Sequence, residues 1–260
     1  MLKLIPLGLL LVGCGPAVLF RGEEPGLGAV YVVQDGGRRA LRFGRPDAED
    51  QSVFDPKRPE TEPVRYIRSA LVGLAYAPAR GRLLMIGLGG GSYLRHARRL
   101  APGLGLEAVE ISPLVVRLCR RYFALPPRVQ VHVEDGGRFV RRTPERYALV
   151  FVDAYDAVDY PRHLGTPAFF RAVRRLLAPG GVVVANLSPN TNRRRAELTR
   201  AFRGVFPGGP CLATPNDNWV LLGWGDPAPD EARARERLRA LERESGGRYG
   251  LTGAAAERCY

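Results

Sequence analysis

Glycines and acids recur where apolar runs of this chain end. Residues 83–92 read LLMIGLGGGS, and the next apolar run, LEAVEI, carries Glu110. The run VQVHVE leads into Asp135-Gly136, and YALVFV into Asp153. Glycines at the end of a strand let the backbone turn sharply and approach a ligand where a Cβ would intrude. An acid ending the next strand can accept both hydroxyls of a ribose. Gly87, Gly89, Gly91 and Glu110 are therefore candidates for holding a nucleoside. Asp135, with Gly136, can set a carboxylate beside a purine amino group, or can simply cap a helix, where Asp is favoured. Asp153 ends a wholly apolar run, and a carboxylate there suits proton removal or stabilisation of developing positive charge. Asp156 follows at i+3. His163, in the loop beyond, is a candidate second acid/base, since imidazole titrates near neutral pH.

The elements that must carry these residues alternate. Strands are expected at 83–88, 106–111, 129–134, 147–153 and 181–187, and helices near 91–100, 113–123, 137–142, 167–178 and 192–204. The strand runs are apolar throughout, as in a parallel sheet covered on both faces. Ala178-Pro179-Gly180-Gly181 reads as a helix stop. Upstream, β-prone runs flank Asp35-Gly36-Gly37, a hairpin signal. A polar, Pro-rich loop is expected from there to a helix over 64–76. Near the end, 211–214 and 218–224 read as a second hairpin, and 229–244 as a charged surface helix. This divides the chain into an apolar segment (1–20), a small β unit with linker (21–60), the nucleoside-binding domain (61–225) and a C-terminal helix and tail (226–260).

The chain has 260 residues and a net charge of +13. That excess makes an acidic partner worth considering. The arginines are spread along the chain, however, and no helix–turn–helix or zinc-finger spacing occurs, so no nucleic-acid partner is expected. Cys14, Cys119, Cys211 and Cys259 lack metal-ligand spacing; no metal and no disulfide framework are expected, with Cys119 and Cys211 as core thiols. His96 and His132 read as a surface helix residue and a strand residue. The N-terminal MLKLIPLGLLLVGC is too short to span a bilayer as a helix. It has the look of a secretory signal, more narrowly of a lipoprotein signal with a lipid anchor at Cys14. The other reading is an apolar segment packed on a cytoplasmic domain. Export carries a tension, because a nucleoside cofactor made in the cytoplasm is not freely supplied outside.

The order glycine loop, Glu110, Glu134-Asp135-Gly136 with Phe139, Val152-Asp153-Ala154-Tyr155-Asp156, Phe169-Phe170 and LLAPGGVVV resembles the spermidine synthase (polyamine aminopropyltransferase) family. So does the upstream order of hairpin, Gln51-Ser52 and a helix with Tyr66. The segment Asp159 to Thr166 is similar to the bacterial spermidine synthase-like branch. The resemblance covers about residues 28–205. It implies an α/β fold, with a Rossmann-like class I methyltransferase-type sheet and a small N-terminal β appendage. It implies decarboxylated S-adenosylmethionine as cofactor and an amine as the small-molecule substrate. Glu110 would then hold the ribose, Asp135 the adenine amino group, and Gln51 would line the pocket. Asp153 would take the amine's proton, with Asp156 orienting the substrate and Tyr66 and Tyr155 beside it. Members of the family commonly form dimers or tetramers, so a homodimer is one expectation the resemblance carries.

The sequence also departs from that pattern. Tyr66-Ile67-Arg68 stands where the family has Tyr-His-Glu, and Gly90 where it has an Asp in the glycine loop. Arg68 would repel a cationic polyamine if it faced the cleft. Three readings follow: an aminopropyltransferase-like enzyme, a methyltransferase using S-adenosylmethionine, and a catalytically silent, lipid-anchored binding protein.

Overall fold

The computed structural model describes residues 16–61, 64–155, 160–188, 194–214, 218–256 and 259. It opens with an antiparallel meander of β1 (Ala17–Glu24), β2 (Gly28–Asp35), β3 (Arg38–Phe43) and β4 (Asp50–Phe54). The β2–β3 hairpin closes as read from the sequence: Asp35 pairs with Arg38, and Gly36 and Gly37 both take positive φ, as this tight turn requires. The outer strands are additions to that reading. β1 starts inside the segment assigned to the N-terminus, and β4 lies in the stretch expected to be loop. Both are mostly exposed and neither alternates cleanly between apolar and polar residues, so both are held by pairing with a neighbour.

The helices α1 (Arg65–Leu71) and α2 (Gly73–Tyr76) lead into the main sheet. Its strands are β5 (Gly81–Ile86), β6 (Leu104–Glu110), β7 (Gln130–Val133), β8 (Tyr147–Val152), β9 (Leu177–Leu187), β10 (Cys211–Ala213) and β11 (Trp219–Trp224), in the order β10-β11-β9-β8-β5-β6-β7. β5 to β9 are parallel, and β10 and β11 complete one edge antiparallel. Between them run α3 (Ser92–Leu100), α4 (Pro113–Tyr122), α5 (Gly136–Arg142), α6 (Pro167–Leu176) and α7 (Arg195–Arg203). Leu83, Met85, Leu149, Phe151, Val182 and Val184 pack into one buried cluster. Leu84, Ile86, Val150, Val152, Val183 and Ala185 pack into another. Alternate residues of each strand thus face opposite cores, which is why the runs are apolar throughout. Helix starts follow local chemistry: Ser112, Asp135 and Thr166 accept backbone N–H groups at the first turns of α4, α5 and α6. α6 ends at Leu176, and the Ala178-Pro179-Gly180-Gly181 stretch already lies in β9, so the stop acts slightly earlier than the residues suggest.

Two sequence expectations fail around the C-terminus. α8 (Glu231–Glu244) buries Ala234, Leu238 and Leu241, and the chain then turns through Tyr249 into α9 (Leu251–Ala256). This tail packs α8 on α2 and α9 on α1, and Tyr249 reaches α3. His96, expected on the surface, is fully buried and bonds Tyr249 through Nδ1 at 2.8 Å. The tail then brings Cys259 to β10, where it forms a disulfide with Cys211. Cys211 is therefore not a free core thiol. Nothing in the spacing of two cysteines 48 residues apart signals this. Cys119 is buried and free as expected, and burial pushes its thiol up to about 12, which leaves it inert. Among the described residues no helix is long and apolar enough to cross a membrane.

Candidate active site

The cleft lies along the carboxyl ends of β5 to β9. At its nucleoside end β5 stops at Ile86 and Gly87 turns with φ 87°. Its N–H bonds the Val109 carbonyl at 2.8 Å, while a Cβ on it would collide with the Asp153 carbonyl. Only glycine allows these two strand ends to approach so closely. Gly91, also at positive φ, starts α3. Glu110 is buried, and its carboxylate accepts the Leu88 N–H at 2.8 Å and the Ser112 N–H at 3.0 Å. Burial lifts its pKa above the usual carboxylate range, and those backbone bonds offset only part of the shift. The acid therefore links the glycine loop to its own strand end, with the Gly89 and Ile111 N–H groups also directed at it.

The N-terminal sheet contributes Ser52, whose hydroxyl accepts the Gly90 N–H at 2.8 Å. A side chain at position 90 has no room: its Cβ would lie 2.8 Å from the Ser52 Cβ and 3.0 Å from Phe123. Beneath the loop, buried Arg95 donates to the carbonyls of Gly90 and Phe123. Beside Glu110, Ile111 is 63% exposed and Val133 50% exposed, which leaves apolar surface bare at the rim of the site. Asp135 caps α5 by accepting the Arg138 N–H at 2.7 Å, and its other oxygen meets His163 Nε2 at 2.7 Å. Partial burial works to raise the Asp135 pKa, but the Arg138 and His163 bonds outweigh it and hold the group ionised below its ordinary value.

At the reacting end Asp153 is partly buried. Its oxygens accept Tyr66 Oη at 3.0 Å, from α1, and Asn186 Nδ2 at 2.9 Å, from β9. Asn218 Nδ2 in turn donates to Asn186 Oδ1 at 3.0 Å and fixes which way that amide points. Desolvation raises the Asp153 pKa to about 6, against the lowering effect of the Asn186 and Tyr66 bonds. A carboxylate poised there is ionised at neutral pH yet basic enough to take a proton. Tyr155 stands next to it, with its hydroxyl bonded to the Asn186 carbonyl at 2.8 Å and to the Ser188 N–H at 2.7 Å.

The sequence model of the spermine/spermidine synthase domain matches residues 70–202, just over half of the chain. The chain belongs to the spermine/spermidine synthase family. A polyamine aminopropyltransferase of Vibrio vulnificus is 29% identical over 212 residues, which cover 79% of this chain and 68% of that protein. Among solved structures, a probable spermidine synthase from Corynebacterium glutamicum superposes with a TM-score of 0.70 at 21% identity, covering 94% of this chain and 96% of the other. A spermidine synthase in complex with the transition-state analogue AdoDATO gives 0.69 at 17% identity, covering 90% and 84%. The fold is thus the Rossmann-like, parallel-rich sheet of these proteins, and the chain is a spermidine synthase-like transferase.

Within this family framework, Gly89, Gly91, Glu110, Asp135 and Gly136 lie towards one end of the cleft and Asp153, Tyr66 and Tyr155 towards the other, with Gly87 between them against the Asp153 carbonyl. Two expected residues are placed differently. Gln51 is exposed on β4; its neighbour Ser52 meets the glycine loop instead, because successive strand residues face opposite ways. His163 lies in a single 3₁₀ turn (Arg162–Gly165) and bonds Asp135 rather than Asp153, so it stands at the nucleoside end. Asp156 and Cys14 lie outside the described residues. Ser52, Ile111, Asn186 and Asn218 were missed. Ser52 and Ile111 sit directly beside flagged residues, whereas no local pattern marks the two asparagines. Among the described residues no cluster of His, Cys, Asp or Glu could hold a metal ion.

Proposed function

We propose that the chain transfers an aminopropyl group from decarboxylated S-adenosylmethionine to a small amine. The observation that carries this is Asp153, a desolvated carboxylate with a pKa of about 6, oriented by Tyr66 and Asn186 at the mouth of a nucleoside cleft. The residues fit the group. The glycine loop is packed tightly against Ser52 and the Asp153 carbonyl, Glu110 stands at the loop's side where the ribose hydroxyls would meet its carboxylate, and Ile111 offers an exposed apolar face for the base. The Corynebacterium relative and the AdoDATO-bound neighbour support the same reading.

When bound, the sulfonium supplies an electrophilic carbon whose bond to sulfur breaks as the amine nitrogen attaches, releasing methylthioadenosine. The protein manages the proton. An ammonium has no lone pair, so Asp153 accepts one N–H proton, and Tyr66 and Asn186 hold the carboxylate in place while it does so. Tyr155, anchored to Ser188 and Asn186, forms the wall beside the incoming amine.

The test is release of methylthioadenosine from decarboxylated S-adenosylmethionine with a panel of amines. Transfer with any of them supports the reading. Turnover only with S-adenosylmethionine would move the assignment to methyl transfer, and binding of neither cofactor to a silent protein. Export is the reading favoured for location, because a disulfide such as Cys211–Cys259 persists in oxidising compartments. Mass spectrometry of the cellular protein tests it: a lipid on Cys14 supports export, and an intact N-terminus with reduced cysteines opposes it.

A further inference from the structure

We infer that His163 is a positioning residue for base recognition: by clamping Asp135 it makes the cleft select a 6-aminopurine nucleoside over a 6-oxopurine one. The inference rests on the proposed nucleoside site, in which the resemblance already sets Asp135 beside the adenine amino group, and adds only the residue that holds Asp135 for that task.

Capping α5 uses only one Asp135 oxygen, which takes the Arg138 N–H. The second oxygen is held at 2.7 Å by an imidazole from a loop 28 residues downstream, a contact that capping does not require. The packing is shaped for it. A Cβ at Gly137 would lie 3.0 Å from His163 Cδ2, so a larger residue would press on the ring. Thr166 fixes the turn by donating to the His163 carbonyl at 3.3 Å.

The location fits a nucleobase rather than an amine. The Glu134 N–H bonds the Glu110 carbonyl at 3.1 Å, so Asp135 begins one residue beyond the ribose-holding strand end. A Cβ on Gly136 would press on Ile86, which puts the start of α5 over the tip of β5. A sugar on Glu110 therefore directs its base towards Ile111 and Asp135. Both partners reach solvent there, with side-chain exposures of 31% for Asp135 and 52% for His163.

With one donor on each oxygen, the carboxylate plane cannot rotate, and its remaining lone pairs point outward. An adenine 6-amino group donates to them. A 6-oxo group offers only lone pairs and is repelled. Without His163, one oxygen is free to turn and its discrimination falls.

Calorimetry with methylthioadenosine and methylthioinosine on the full chain tests this. The unaltered protein should prefer the adenosine compound by about ten- to a hundredfold, the range of one hydrogen bond to a charged group. His163→Ala should bring the two within about threefold, and His163→Gln, whose amide can still donate to Asp135, should restore most of the preference. In both variants any kinetic loss should fall on KM for the nucleoside cofactor rather than on kcat, the split expected of a positioning residue for binding. A preference unmoved by His163→Ala, or a loss of turnover without loss of binding, overturns the inference while leaving the nucleoside site standing. Failure of the unaltered chain to bind methylthioadenosine overturns both.

Discussion

At the nucleoside end residues 86–91 and 110–112 form two short stretches tied together by backbone hydrogen bonds to one carboxylate, to which Ser52 and the Asp135–His163 pair are added from elsewhere in the chain. At the reacting end Asp153 takes its partners from α1 and β9, and the second of these is oriented from the residue before β11. The first end is built mainly from backbone, and its form follows from glycines and strand ends. The second is built from side chains separated by as many as 87 residues. Damage should therefore spread differently. Changes at the first end should weaken binding and folding together, whereas changes at the second should strike turnover while leaving nucleoside affinity largely intact.

The largest expected effect is Asp153→Asn. Turnover should fall by about 10²–10⁴-fold, the usual worth of a positioned base, with methylthioadenosine affinity within about twofold. Retained turnover would break the comparison. The same variant should be more stable at neutral pH. The folded-state pKa of about 6 lies above the ordinary 3.8, so the folded chain binds this proton more readily than the unfolded one. Ionised Asp153 thus costs stability progressively as pH rises from 3.8 to 6, by up to about 3 kcal/mol at neutral pH. Thermal melts at pH 7 and pH 4 check the sign: the gain should be present at pH 7 and mostly absent at pH 4.

Glu110→Ala comes next. Cofactor affinity should drop by about a hundredfold if the acid grips both ribose hydroxyls. Stability should fall too, by about 1–3 kcal/mol, because the Leu88 and Ser112 N–H groups lose their acceptor. Weaker binding with unchanged stability would mean that the loop does not depend on this carboxylate.

Cys259→Ser probes the reacting end from a distance, since β10 carries Cys211 and pairs with β11 next to Asn218. Denaturant titration should show a loss of about 2–4 kcal/mol. Turnover should decline more than methylthioadenosine affinity, and equal decline of both would blur the distinction between the ends. Tyr66→Phe is the finest test. The acid limb of the rate profile should have its midpoint near pH 6 in the unaltered protein, with activity lost below it as Asp153 becomes protonated. Removing the Tyr66 bond, which lowers that pKa, should move the limb to higher pH. A limb that stays in place would remove Tyr66 from the network.

The legible and illegible parts divide along the same line. The glycine loop, Glu110, Asp153, the β2–β3 hairpin and the alternating strands and helices follow from short-range rules: where a Cβ is excluded, which turn two glycines adopt, how burial on both faces makes a strand apolar. β1 and β4 escaped because a largely exposed strand without a clean alternating pattern is held by its neighbours' hydrogen bonds. His96 escaped because the C-terminal tail that buries it arrives from far along the chain. His163 was singled out for its chemistry, but its bond to Asp135 was not legible, because a loop's direction after a strand is set by what it packs against.

By itself the sequence determined the α/β order and the identity of the acids at the strand ends, since these rest on local backbone sterics and burial periodicity, and its motif order carried the resemblance to the family. The tertiary structure alone decided that Asn186 and Asn218 serve Asp153, that Ser52 closes the glycine loop, that His163 belongs to Asp135 and that Cys211 meets Cys259. Each of these joins residues distant in sequence, and their approach is fixed by the packing of whole elements.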